Sequence, residues 1–273
     1  EKEYEAETGE KWEAYPVFYF DFNKANFKRE MALEEVLSEH LDGWEKTLGD
    51  VKSDVPLAER FRKLLEKSYE QTGKRAVVLV DEYDKPLLEV MEDDSLEEHN
   101  KAVFKGFFST LKSYDGYLKF VFLTGVTKFS MVSIFSDLNQ LNDISMDEAN
   151  AGICGITEAE MERTFEPEIK EMAKSNGFSY EECLAELKKM YDGYHFCEDA
   201  EGVYNPFSLI NALNRKKFGA YWFSTGTPTF LVEKLKKADF DIKKFTDGEL
   251  EADEDTLSDY RVDNPNPVPL LYQ

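Results

Sequence analysis

Residues 75–88, which read RAVVLVDEYDKPLL, join a run of apolar residues directly to a cluster of acids. The unbroken apolar run at 76–80 is typical of a strand buried on both faces of a parallel sheet. Asp81 and Glu82 follow it at once, and Asp84 comes two positions later. Because like charges placed together disfavour one another, the cluster predicts that something cationic binds there.

Two further strands and several helices are predicted around this stretch. The sequences at 15–23 (YPVFYFDFN) and 117–125 (YLKFVFLTG) have the composition of strands. Apolar residues at helical spacing predict helices over 31–44, from residue 56 to about 73, and over 100–114. This alternation of strands and helices indicates an α/β fold with a parallel sheet.

The pattern changes after about residue 150, where helix signals replace strand signals. Thr157 with Glu160, and Ser179 with Glu182, form capping boxes that predict two helix starts. No convincing strand falls between Asn150 and Lys217. A mostly helical second unit is therefore expected.

Three segments are predicted from these changes. Residues 1–150 form the core, residues 151–238 form a helical subdomain, and residues 239–273 form an acidic linker and the start of a following segment. The linker prediction comes from the run DGELEADEDTLSD, which is dense in acids and poor in apolar residues.

Composition limits the functions that the chain can have. The 273 residues are 42% hydrophobic, which is enough for a packed core, and 56 acids against 33 bases give a net charge of −23. That charge disfavours direct binding of nucleic acid. Three cysteines without CxxC spacing argue against a disulfide framework or a zinc site and suit the cytoplasm. No apolar run of about 18 residues is present, so no membrane span is expected.

An apolar strand that ends in Asp-Glu is the pattern called Walker B. A buried parallel strand delivers its last residues to the edge where α/β sheets bind ligands. Asp81 can there hold a Mg²⁺ ion that bridges nucleotide phosphates, and Glu82 can act as the catalytic base on water. A strand end with solvated carboxylates and a turn would read the same way, so the motif alone leaves both interpretations open.

The third predicted strand supports the nucleotide interpretation. It ends in Leu-Thr-Gly, and a polar residue at the end of the strand beside Walker B commonly senses the γ-phosphate. Thr124 is the candidate for that catalytic and nucleotide-binding role, with Lys128 in the loop that follows. A simple strand cap at Thr124 with a turn at Gly125 remains the alternative. No Gly-x-x-x-x-Gly-Lys-Ser/Thr loop, which would cradle the phosphates, occurs in the chain.

Six segments together resemble one known family. They are VVLVDEYDKPLLEV (77–90), YLKFVFLTGVTKFS (117–130), ICGITEAEM (153–161), YDGYHF (191–196), VYNPFSLINAL (203–213) and YWFSTGTPTFLVEKL (221–235). The chain is similar over most of its length to the predicted AAA-ATPase-like family of bacterial P-loop proteins. These are often fused to a nuclease-like domain of the PD-(D/E)xK superfamily.

The resemblance implies a P-loop NTPase core followed by a mostly helical lid or winged-helix-like subdomain, with ATP and Mg²⁺ as cofactors. It implies an N-terminally truncated core, with the Walker A loop before residue 1 and any nuclease-like domain after residue 273. ATP hydrolysis is therefore expected of the full-length protein and not of this fragment alone. By position, Asp81 and Glu82 match the Walker B acids and Thr124 the sensor.

Several positions are left without an assigned role. The roles of Asp84 and Lys85 stay open, and a local ion pair that orients the loop is one interpretation. His195 stands where the family more often carries Arg, which weakens any assignment of phosphate contact to it. A regulatory or binding module without significant turnover remains the alternative function. A two-metal nuclease is disfavoured, because DEYDK lacks the acid-x-Lys spacing of a PD-(D/E)xK core.

Overall fold

The computed structural model describes most of the chain in two compact units. The described residues are 5–6, 8–49, 55–91, 93–125, 141–197 and 200–221. The chain divides after residue 140, so the first unit holds the described residues up to 125 and the second those from 141 onward. Among these residues, no helix has both the length and the hydropathy that crossing a bilayer requires.

The first unit contains a three-stranded parallel sheet. Its strands are β1 (Val17–Asp21), β2 (Ala76–Asp81) and β3 (Leu118–Leu123), and β2 lies between the other two. Asp21 and Asp81 are directly paired at the ends of β1 and β2. Because all three strands run the same way, their carboxyl ends meet at one edge of the sheet. The predicted parallel α/β fold is confirmed.

Four helices connect these strands. They are α1 (Ala32–Leu48), α2 (Leu57–Thr72), α3 (Lys85–Leu88) and α4 (Asp94–Ser113). The fourth helix starts earlier than the expected residue 100, because Asp93 accepts a hydrogen bond from the Leu96 amide (3.1 Å) and so caps the helix there. A single turn of helix, α3, follows the acidic stretch directly.

An aromatic core packs against one face of the sheet. The ring of Phe20, on β1, meets Phe61 of α2 and Phe107 of α4 edge-to-face, with centroids 5.3 and 5.4 Å apart. The rings of Phe61 and Phe107 stack on each other at 5.3 Å. Such pairs contribute roughly 0.5–1.5 kcal/mol each beyond the burial of their area. This cluster fixes α2 and α4 against the strands that end in the acids.

The expectation that β2 is buried on both faces is wrong for the described structure. Burial alternates along the strand: Val78 and Val80 are buried, whereas Val77 and Leu79 are only partly buried. On neighbouring strands the same open face exposes Tyr19 and Phe120. The buried aromatic residues of the described helices pack against the other face of the sheet. The apolar run of β2 is therefore buried on that face and only partly buried on the open face.

The second unit is helical. It contains α5 (Glu158–Asn176), α6 (Tyr180–Tyr191) and α7 (Pro206–Arg215). Both predicted capping boxes are confirmed at the starts of α5 and α6. Within residues 141–197 and 200–221 the only β pairing is two isolated bridges, Ile156 with Tyr204 and Tyr194 with Val203. The described residues of this unit are therefore helical, whereas the predicted boundaries 151–238 and a role as a lid stay predictions.

A buried arginine joins α1 to α2. Arg60 is only 3% exposed, and its guanidinium donates to both carboxylate oxygens of Glu45, at 2.8 and 2.7 Å. It also donates to the Ser38 hydroxyl (2.8 Å). Burying a guanidinium requires that its donors be satisfied, and this bidentate arrangement does so.

We expect Arg60→Ala to lower the free energy of unfolding by about 3–5 kcal/mol, because it leaves the Glu45 carboxylate buried without its partner. Arg29→Ala is the matched control, since Arg29 makes a similar contact with Glu35 at the surface, where both side chains are exposed. A surface pair contributes at most about 1 kcal/mol. Denaturant unfolding measures both variants, and equal losses would contradict the structural role assigned to Arg60.

Candidate functional site

Asp81 lies at the centre of the carboxyl edge of the sheet, held by hydroxyl groups from both neighbouring strands. The hydroxyl of Thr124, just after β3, donates to Asp81 Oδ1 (2.6 Å). The hydroxyl of Tyr19, on β1, donates to Asp81 Oδ2 (2.9 Å) and thereby raises the pKa of Tyr19. The two donors orient the carboxylate, and each oxygen keeps further acceptor capacity. The structure thus brings together Asp81 and Thr124, two of the predicted site residues.

Glu82 follows in an unusual backbone conformation. Its φ is +51°, in the left-handed region that costs a residue with a side chain roughly 1–2 kcal/mol. The conformation turns the chain sharply after β2, so that the Tyr83 amide donates to the Thr124 carbonyl (3.0 Å) and the Lys85 amide to the Glu82 carbonyl (3.1 Å). The turn presents the Glu82 side chain beside Asp81.

Burial and neighbouring charges shift the pKa of the Glu82 carboxyl group. Partial burial raises this pKa; the Lys85 ammonium opposes the shift, and the negative charges of Asp81, Asp84 and Asp21 add to it. A carboxylate whose pKa is raised is a stronger base than an ordinary one.

Asp21 is a third acid at the same edge, which sequence reasoning did not single out. Its Oδ1 accepts the Asn23 amide (2.9 Å) and its Oδ2 lies 3.1 Å from Lys24 Nζ. The backbone hydrogen bond and the lysine lower the pKa of Asp21, so it stays ionised. The signal that would have found it is simple: like Asp81, it is the last residue of a strand in a parallel sheet.

Lys85 contacts the loop after β1 and Glu82, and its ion pair with Asp84 stays a prediction. Its Nζ donates to the Asn23 carbonyl (3.0 Å) and to Asn23 Oδ1 (2.6 Å), and it lies 4.0 Å from Glu82 Oε2. Asp84 is fully buried, beneath the chain that leaves β3.

The close approach of that chain explains Gly125. A Cβ atom at Gly125 would lie 2.8 Å from Asp84 Oδ1 and 2.6 Å from a ring atom of Tyr83, so a side chain does not fit there without movement. The glycine lets the end of β3 pass directly over the turn after β2, and this brings Thr124 within reach of Asp81.

The donor groups at this edge suit Mg²⁺ in one particular mode. In the described ranges no group of three or more His, Cys, Asp or Glu side chains is placed to enclose a metal ion. Mg²⁺ is usually held by one or two carboxylates, with water and substrate phosphates completing its shell. A single oriented carboxylate such as Asp81 fits that mode. Lys128, the remaining predicted nucleotide-binding residue, lies outside the described residues.

His195 lies in the second unit. Its ring nitrogen Nδ1 is 3.2 Å from the Ala200 carbonyl oxygen. This contact is local to the turn after α6 and gives no indication of a role in binding phosphate.

The parallel sheet and its carboxyl edge define the class of α/β proteins, in which ligands commonly bind at the carboxyl ends of the strands. Residues 3–135 match the model of the AAA-ATPase-like family, described as predicted AAA-ATPase.

A curated relative extends the similarity beyond the family match. It is an uncharacterized protein in the vnfD 5′ region of Azotobacter chroococcum mcd 1, 35% identical over 221 residues. The aligned part is 81% of this chain and 40% of the relative, so the chain spans about 40% of the length of the relative. No solved structure matches the chain.

We expect Glu82→Gly to be more stable than Glu82→Ala by about 1 kcal/mol, because glycine adopts positive φ without the steric cost that alanine retains. Glu98, on the exposed surface of α4, is the matched control site. There Gly should be less stable than Ala by about 1 kcal/mol, as in any helix interior. The free energies of unfolding of the four variants test this, and the same sign at both sites would refute the strain at Glu82.

Proposed function

We propose that this chain carries the metal-binding and water-activating half of an ATP-hydrolysing site, with ATP and Mg²⁺ as its ligands. The observation that carries the proposal is the hydrogen bond from Thr124 to Asp81, next to Glu82, at the carboxyl edge of a parallel sheet. The match of residues 3–135 to the AAA-ATPase-like family supports the same activity.

Asp81 would hold the Mg²⁺ ion, directly or through water. When bound, the ion neutralises charge on the nucleotide phosphates. The hydroxyls of Tyr19 and Thr124 fix the orientation of the carboxylate before the ion arrives, and such preorganised ligands lose less freedom on binding. Thr124 would act through this contact in addition to any contact with the γ-phosphate.

Glu82 would orient a water molecule and accept its proton. Two features support this role over that of a second metal ligand. Its carboxylate faces a lysine at 4.0 Å, and its pKa is raised by burial, whereas that of Asp21 is lowered. Two carboxyl groups at one edge with opposite shifts are suited to different tasks.

The alternative is a nucleotide-dependent regulatory module that binds without significant turnover. The same residues would then hold the nucleotide, and only Glu82 would lack a chemical task. The two functions therefore differ in what happens when Glu82 loses its ability to take a proton.

We expect Glu82→Gln in the intact protein to leave ATP affinity within about twofold and to reduce turnover by at least a hundredfold, since a positioned general base contributes roughly 10²–10⁴ in rate. Phosphate release measures turnover, and titration with a fluorescent ATP analogue measures affinity. Glu98→Gln, an equal change on the surface of α4, should leave both unchanged.

Asp81→Asn is expected to weaken the Mg²⁺ dependence of nucleotide binding, because the amide keeps the shape of the side chain without its charge.

Turnover by Glu82→Gln at the wild-type rate would rule out the proposed base. A wild-type protein that binds Mg·ATP but does not hydrolyse it would favour the regulatory module.

A further inference from the structure

We propose that Lys85 is a positioning residue of this site, whose ammonium group ties the loop after β1 to the turn that carries Glu82. The proposal rests on the function proposed above and deepens it. It assigns a task to a residue that neither the Walker B pattern nor the family resemblance explains.

The contacts of Lys85 reach across two connections of the sheet. Its side chain is 24% exposed, and its Nζ donates twice to Asn23, which lies two residues after β1. An ammonium group has three donors. Lys85 Nζ lies 4.0 Å from Glu82 Oε2, which is too far for a hydrogen bond but close enough for a charge–charge interaction. Lys85 therefore joins Asn23 and Glu82 through a single atom.

A second contact reinforces the same connection. The Phe27 amide donates to Glu89 Oε2 (2.8 Å), so the loop between β1 and α1 is also bound to the residue that follows α3. Asn100, on α4, donates to the Pro86 carbonyl (2.9 Å) from a buried position. A helix of four residues is not stable by itself. Its place depends on such side-chain contacts, and the one at Lys85 is nearest to Glu82.

Among the acids at this edge, Glu82 is the one whose charge Lys85 balances. Asp21 already has Lys24, whose ammonium lies 3.1 Å from it. Glu82 faces the Lys85 ammonium and also the negative charges of Asp81, Asp84 and Asp21. Those acids repel the Glu82 carboxylate, and the turn beneath it has a strained φ of +51°. Without Lys85, both repulsion and strain would favour movement of Glu82 away from the edge.

A lysine beside a nucleotide site has another conceivable role, as a ligand of phosphate. The contacts favour positioning, because Asn23 accepts two of the three ammonium donors. The two roles have different kinetic consequences. Loss of a phosphate ligand weakens ground-state binding and raises KM, whereas loss of a positioning residue lowers kcat with KM unchanged.

The test uses Lys85→Met and Asn23→Ala in the intact protein, separately and together. We expect Lys85→Met to lower kcat for ATP roughly 10- to 100-fold, with KM within about twofold, because small misplacement of a catalytic group has effects of that size. Asn23→Ala should lower kcat in the same direction but less, since the Asn23 carbonyl and the charge of Lys85 remain. The double variant should be no worse than Lys85→Met alone, because both changes break one connection.

Lys101→Met is the matched control. Lys101 is 27% exposed and pairs with Glu97 and Glu98 on α4, so it resembles Lys85 in burial and charge but contacts no site residue. Its kcat and KM should stay at wild-type values. An increase in KM with unchanged kcat for Lys85→Met would overturn the proposal in favour of a phosphate ligand. Wild-type kinetics for Lys85→Met would also overturn it.

A measurement without nucleotide separates this proposal from the proposed function. Hydrogen exchange in the peptides covering 20–30 and 81–90 should be faster in both segments for Lys85→Met, and unchanged for Lys101→Met. If the wild-type protein does not hydrolyse ATP, the proposed function fails while hydrogen exchange still decides whether Lys85 ties the two segments. If hydrogen exchange is unchanged in both segments, the proposed connection through Lys85 is wrong.

Discussion

Parallel pairing of β2 with a strand on each side is the constraint on which the rest of this structure depends. The register places Asp81 opposite Asp21, and the chain leaving β3 places Thr124 within 2.6 Å of Asp81. A shift of one residue would turn Asp81 to the other face of the sheet, among the buried aromatic rings. The Phe20–Phe61–Phe107 cluster resists such a shift, because Phe20 occupies its place only in this register.

The crowded acids and the strained turn at the carboxyl edge of the sheet are destabilising, and nearby groups limit that free-energy cost. Glu82 adopts a backbone conformation that glycine would adopt more easily. The Asp84 side chain is fully buried. Lys24 and Lys85 lie against the acids, and two hydroxyls hold the Asp81 carboxylate. Strain and crowded charge that persist together are typical of functional sites, where chemistry and not stability selects the residues.

The two carboxyl groups beside Asp81 differ in a way that matters for chemistry. Asp21 is kept ionised by a backbone amide and a lysine, whereas burial raises the pKa of Glu82. The two pKa shifts differ because of position: Asp21 ends an outer strand of the described sheet, before α1, and Glu82 lies in the tight turn after the central strand. The match of residues 3–135 to the predicted AAA-ATPase family supports the proposal that this edge binds a nucleotide.

The sequence by itself determined the class of fold and two of the central residues. Apolar runs that end in Asp81 and Thr124 predict strands with polar carboxyl ends, because hydrophobic patterning is a local property of the chain. The alternation of these strands with helices predicts that the sheet is parallel. The capping boxes before α5 and α6 are equally local and were found for the same reason. The tertiary structure alone decided which distant groups meet. Tyr19 reaches Asp81 and Lys85 reaches Asn23, each across 62 positions of the chain. Such contacts depend on strand order and register, which no short stretch of sequence specifies.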